Sequence, residues 1–175
     1  MVGLLLLILL AGCGQGEAPR LQVGDTAPNF SLPDLSGENF DLGREAGRPV
    51  ILRFFVPNCR YCRADTAIFN DYFTKYRDQG LRILYINTDR TGADLQTFVR
   101  ELSIPFPVAS DTDGKTAALY RVRVVPQTIV LDPAHRIVGA ILGGVSAAEL
   151  DELLQPYLQS SSASQDNAQN RRNSP

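Results

Sequence analysis

The sequence predicts an α/β domain with a central mixed β-sheet, helices on both faces and an N-terminal β-hairpin extension. Three observations predict it. Four apolar runs, "PVILRFFV", "LRILYIN", "QTIVLD" and "RIVGAIL", have strand length and few polar interruptions, as buried strands do. Segments of helical period separate the first three runs, which implies right-handed crossovers between parallel strands. Only Pro133-Ala134-His135 separates the last two, so they close as an antiparallel hairpin.

Taken in order, "NFSLPDLSGENFDL" reads as two short strands around a Ser36-Gly37 turn. Pro49 to Val56 is the first buried strand, and Pro57-Asn58 closes it, with Asn58 placed to cap a helix. A continuous helix is expected from Arg60 to about Gln79. Ala64, Ile68, Tyr72 and Tyr76 form its inner face, and Gly80 ends it. Leu81 to Asn87 is the next strand, 94–102 a helix and 115–120 a short one. After the closing hairpin, Ser146 and Glu149 have capping-box spacing and open an amphipathic helix through Leu150, Leu153 and Leu154.

The chain has 175 residues and a net charge of −2, which suits one globular domain with tails. No basic stripe marks it for nucleic acid. The apolar run Leu4 to Leu10 is too short to span a membrane, which takes about 20 residues, but has the length of a signal-peptide core. Leu10-Ala11-Gly12-Cys13 resembles the lipobox of bacterial lipoproteins, in which the cysteine is lipidated. The expected organisation is a signal peptide at 1–12, a lipid-anchored tether at 13–22, the folded domain at 23–158 and a disordered tail at 159–175. The protein is then extracytoplasmic and anchored to a bacterial membrane through Cys13.

With Cys13 assigned to lipid, Cys59 and Cys62 remain, in an oxidising compartment. They sit where a buried strand hands over to a helix, with Cys59 expected at the first helical position. Unpaired backbone N–H groups and the helix dipole there favour thiolate, which is the nucleophile. Cys62 shares the helical face, and the spacing lets the two sulfurs close a disulfide. Cys59 then attacks a substrate disulfide and Cys62 resolves the mixed disulfide. A metal half-site competes poorly, because zinc takes four ligands and His135, the only histidine, stands in a turn where solvation is expected. Two inert core thiols are the remaining alternative. No cofactor beyond the Cys59–Cys62 couple is expected, and no metal.

"GDTAPNFSLPDLSG", "PVILRFFVPNCRYCRAD" and "VVPQTIVLDPAHRIVGAILGG" together resemble the TlpA/ResA-like thioredoxin family, part of the wider redoxin (AhpC/TSA) superfamily. The resemblance spans about 23–158 and implies a thioredoxin-like fold and a membrane-anchored thiol–disulfide oxidoreductase. Its partners would be protein thiols and disulfides and a membrane thiol donor, in cytochrome c maturation or envelope redox control. A monomer is expected. The resemblance also implies that Val125-Pro126 is a cis-proline loop against the disulfide, where the Val125 backbone can pair with an extended substrate segment.

The chain departs from the family at several positions. Asn58 replaces the usual Trp, and Arg60-Tyr61 stands between the cysteines without a proline. Asp65 takes the place of a usual Glu, and Arg53 takes the place of a buried Asp or Asn. Arg53 is read first as a strand-end side chain that reaches solvent. If buried it needs a partner, and Asp65 or the Cys62 thiolate are the candidates. Together with the exposed Arg60 and Arg63, it is expected to lower the thiol pKa and make the couple more oxidising. A peroxiredoxin-like peroxidase is an alternative, weakened because Val56 stands where such enzymes carry Thr. The other alternative is a non-catalytic thioredoxin-fold binding module.

Overall fold

The computed structural model describes residues 21–158 apart from Ala93. The lipobox cysteine Cys13, the signal peptide, most of the tether and the tail 159–175 lie outside the described residues. The hairpin comes first, with β1 (Ser31–Pro33) antiparallel to β2 (Asn39–Asp41). Then follow β3 (Val50–Phe55), α1 (Arg60–Ala64), α2 (Thr66–Tyr76) and β4 (Arg82–Asn87). The chain continues through α3 (Leu95–Glu101), β5 (Val108–Ser110), α4 (Lys115–Leu119), β6 (Gln127–Leu131), β7 (Ile137–Leu142) and α5 (Ala147–Leu158).

The main sheet has the order β5-β4-β3-β6-β7. β3, β4 and β5 run parallel, but "QTIVLD" forms β6 antiparallel to β3, against the parallel crossover expected for a run that follows a helix, and β7 pairs antiparallel with β6. β3 is central, and all six of its residues are buried. Its side chains alternate between faces, as the pleat requires. Ile51 and Phe55 join one core cluster beneath α2, α3 and α5. Val50, Leu52 and Phe54 join the other, with Phe30 and Phe40 of the hairpin region and Tyr120 after α4. Burying each large apolar side chain is worth about 1.5–3 kcal/mol, so the two clusters hold the layers together. Gly139 in β7 allows close approach, because a Cβ there would lie 2.5 Å from a methyl of Leu153 in α5.

Three other expectations change. Strand β5 was not foreseen: it has only three residues, lies at the sheet edge and follows Pro105-Phe106-Pro107, which reads locally as loop. The helix expected from Arg60 to Gln79 is interrupted at Asp65 and finishes in a 3₁₀ turn at Arg77–Gln79. Gly80 ends it at φ +96, a left-handed conformation that glycine adopts without penalty. The interruption also rotates the inner face. Ala64 is exposed, while Cys62, Thr66, Phe69, Tyr72 and Tyr76 are buried. The Ser146–Glu149 capping box is present, with the Glu149 carboxylate accepting from the Ser146 N–H at 2.9 Å.

Candidate active site

The register places three segments at one end of the sheet. β3 finishes at Phe55, and antiparallel β6 begins at Gln127 opposite Phe54. β7 ends at Leu142 opposite Gln127. The strand-to-helix connection that carries the cysteines, the residues before β6 and those after β7 therefore converge. The Val125–Pro126 peptide bond is cis, and the Gly143 N–H donates to the Pro126 carbonyl at 2.8 Å. Pro126 is buried and Val125 half-buried.

Cys59 and Cys62 form a disulfide with their Cα atoms 5.2 Å apart. Cys62 is fully buried in the core under α2, and Cys59 is half-buried. Cys59 is the N-cap of α1, not its first helical residue as expected, and Asn58 does not cap. The cap is the sulfur itself, because the Cys62 N–H donates to Cys59 Sγ at 3.1 Å. Helix N-caps take side chains that accept from N–H groups two or three positions on, and a thiolate is a stronger acceptor than a thiol.

Arg53 overturns the preference for a solvent-reaching side chain. It is 0% exposed, on the face of β3 that carries Ile51 and Phe55. Its guanidinium donates to Oδ2 of Asp65, to the Thr128 hydroxyl and, at 3.2 Å, to the Gly143 carbonyl. It also lies 5.1 Å from the Phe69 ring centroid. The same Asp65 oxygen accepts the Val145 N–H at 2.9 Å. Of the two partners proposed from sequence, Asp65 is the one that pairs. The alternative for Arg53 was water, but β3 is the middle strand and no route to solvent remains for a side chain in the centre of that face.

The pair also accounts for the break in the helix. Asp65 turns inward as the C-cap of α1, with φ −97 and ψ 0, and α2 restarts behind it. The Thr66 hydroxyl donates back to the Cys62 carbonyl at 2.7 Å, a bond that bends helices. Burial pushes the Asp65 carboxyl above its ordinary range, and the positive charge of Arg53 opposes that rise. Burial pushes the nearby Tyr85 phenol well above its usual value, so it stays neutral. Arg53 Nε and Asp65 Oδ1 are buried without hydrogen-bond partners.

The other arginines lie apart from this pair. Arg60 is exposed and stacks on Tyr61, 4.8 Å from the ring centroid. Arg63 bonds to Glu101 at 2.6 Å and covers Phe98, so part of its charge is spent on α3. His135 is half-buried with its Nε2 buried and unbonded, contrary to the solvated side chain expected. Among the described residues there is no cluster of His, Cys, Asp and Glu that could hold a metal ion. Sequence reasoning missed Thr128 and the backbone of Gly143 and Val145 as partners of the ion pair. The only local signal was a hydroxyl in the aliphatic run "QTIVL".

The AhpC/TSA family profile matches residues 23–140. Thiol-disulfide oxidoreductase ResA of Bacillus cereus is 30% identical over 159 residues, covering 87% of this chain and 92% of that protein. The ResA of Geobacillus kaustophilus is 27% identical over 158 residues, with 86% and 91% covered. A crystal structure from Chlorobium tepidum, provisionally named thiol:disulfide interchange protein DsbE, superposes with a TM-score of 0.73 at 28% identity. It covers 79% of this chain and 99% of its own. With the fold, the buried-strand-to-helix cysteine pair and these relatives in agreement, the chain belongs to the AhpC/TSA family as a thioredoxin-like thiol–disulfide oxidoreductase.

Proposed function

We propose that the protein reduces or exchanges disulfides in other proteins outside the cytoplasmic membrane, held there by lipid on Cys13. A membrane thiol donor keeps its Cys59–Cys62 couple supplied with electrons. Cytochrome c maturation or envelope redox control is the setting that the lipobox resemblance and the ResA relatives support. The observation that carries the chemistry is the unequal placement of the two sulfurs. Cys59 Sγ is the half-buried helix cap that accepts an N–H, and Cys62 is sealed beneath it.

Cys59, as thiolate, attacks one sulfur of the substrate disulfide and the other sulfur leaves. Cys62 then attacks Cys59 Sγ and releases the second substrate thiol, so two electrons pass from the couple to the substrate. The Val125 backbone beside Pro126 receives the extended substrate segment. The Cys62 N–H and the exposed Arg60 hold the Cys59 thiol below the value of a free cysteine. Arg63 contributes less, because Glu101 takes up its charge.

The test is a Cys62→Ser variant expressed in cells with its native N-terminus. Cys59 should hold partners as mixed disulfides in the membrane fraction, and Cys59→Ser should trap none. Recovery of no partner, or of the protein only in the soluble fraction, would overturn the proposal. Absorbance titration of Cys59 offers a separate check. A midpoint near 8.5, the value of an unperturbed cysteine, would remove the N–H and Arg60 from the mechanism.

A further inference from the structure

We propose that the groove lined by Leu21, Leu119, Arg121, Val122 and Arg123 is a membrane-docking surface, which lies on anionic lipid headgroups and holds the disulfide beside the bilayer. The proposal rests on the lipid anchor at Cys13 and goes beyond it, since an anchor by itself fixes no orientation.

The end of α4 builds the groove. Tyr120 is the C-cap of the helix; the Arg121 N–H donates to the Ala118 carbonyl at 3.1 Å and the Val122 N–H to the Ala117 carbonyl at 2.8 Å. This pair of bonds folds the chain back over its last turn and needs a left-handed residue, usually glycine. Here Arg121 takes that place, at φ +54. The Tyr120 hydroxyl donates to the Pro28 carbonyl at 2.7 Å, which ties the segment after Leu21 to the end of α4. Leu21, Val122 and Val125 pack against the core cluster beneath, so the floor of the groove is apolar. Its volume is about 570 Å³, and its rim is uncovered, with Leu119 42% exposed and the neighbouring Val124 59%.

The charge on this face is mostly of one sign. From Gly114 to Pro126 the chain has three cations, Lys115, Arg121 and Arg123, and no carboxylate. Lys115 spends its charge on Asp113 at 2.6 Å, whereas both arginines line the groove and Arg123 is exposed. Asp25, the one acid in residues 21–30, accepts the Gln22 N–H at 2.8 Å. Exposed apolar side chains among cations match the boundary between anionic headgroups and acyl chains.

The point where the chain enters the domain selects this face. Leu21 follows Cys13 by eight residues. Eight residues span at most about 28 Å when fully extended. A domain of this length is roughly 35 Å across, so a lipid on Cys13 cannot hold the far side of the domain against the bilayer. The Leu21 side turns toward it instead. From Arg123 the chain runs through Val124 into the cis Val125–Pro126 bond, so docking keeps Cys59 near the headgroups, where a membrane thiol donor offers its electrons.

The chain has no tryptophan, so Leu119→Trp and Glu152→Trp each supply a single fluorophore. Glu152 is exposed on α5, which covers the other core cluster. The full lipidated chain is placed in protein-free vesicles of phosphatidylethanolamine and phosphatidylglycerol with brominated acyl chains. Leu119→Trp should emit at shorter wavelength than in buffer and lose about half its intensity or more, while Glu152→Trp should do neither. Adding Arg123→Glu, or salt to about 0.5 M where screening acts within about 4 Å, should remove most of the Leu119→Trp quenching. Phosphatidylcholine vesicles should give little of it. Equal quenching at both positions, or none at Leu119→Trp in chains that float with the vesicles, would overturn the docking. So would quenching indifferent to Arg123→Glu and to lipid charge. Chains that carry no lipid and do not float would overturn the anchor at Cys13, and the docking with it.

Discussion

On one face of β3, Val50, Leu52 and Phe54 pack against Phe30, Phe40 and Tyr120 with apolar contacts alone. On the other face, Ile51 and Phe55 flank Arg53, a charge as deeply buried as either of them. Both faces exclude water and both are covered by helices or the hairpin. They differ in what lies at the end of the strand, since the charged face is the one that continues into the Cys62 side of the disulfide. Stability alone favours the first arrangement, because a well-packed apolar set generally matches or exceeds a buried ion pair. The charge on the second face is an expense borne next to the chemistry.

The largest effects sharpen this contrast. Phe54→Ala should cost about 3–5 kcal/mol in denaturant unfolding by leaving a cavity. Arg53→Met should cost a similar amount, about 3–5 kcal/mol, by stranding the Asp65 carboxylate. Only the Arg53 variant should alter the kinetics of exchange when both are assayed folded. An equal kinetic defect in Phe54→Ala would erase the distinction between the faces.

Next comes the double variant Arg53→Met/Asp65→Leu. Its stability should lie between the wild-type value and about 4 kcal/mol above it, because both charges leave together. A double variant as unstable as Arg53→Met would mean that the hydrogen bonds to Thr128 and Gly143, and not the charges, hold that face.

A smaller effect lies in the pH dependence of stability. A carboxyl whose pKa is raised by folding binds more protons in the native state, so its contribution to stability falls as pH rises above its ordinary value. Removing Arg53 extends that window upward. Arg53→Met should therefore resemble the wild type most closely in acid and diverge from it as pH rises, measured by denaturant titrations from pH 4 to about 8. The smallest effect is on the surface. Glu149 is held below its ordinary value by Ser146, so the cap strengthens stability above that value and loses its contribution as pH falls. Ser146→Ala should flatten this weak acid-side slope and leave exchange untouched.

Much of the fold was legible because it depends on local pattern. The strand runs, the capping box at Ser146, Gly80 after the helix and the Ser36-Gly37 turn each have a signature within a few residues. The disulfide was legible for the same reason, since three residues of spacing at a strand-to-helix junction are enough to bring the sulfurs together. Strand β5 was not, because three residues that follow Pro107 take their extended form from the neighbouring β4 edge. The helix break at Asp65 was not legible either. Asp65 reads as an ordinary polar helix residue until a cation across the sheet pulls it inward.

The sequence by itself determined an α/β chain with a redox-spaced cysteine pair at a strand-to-helix junction, because periodicity and cysteine spacing are properties of short segments. Only the tertiary structure decided which way Arg53 points, which carboxylate answers it and which sulfur is sealed. Those outcomes depend on contacts between residues 12, 75 and 90 positions apart in the chain. They follow from a physical constraint that no local pattern contains: a charge at the centre of a sheet cannot reach water, so the fold must bring its partners to it.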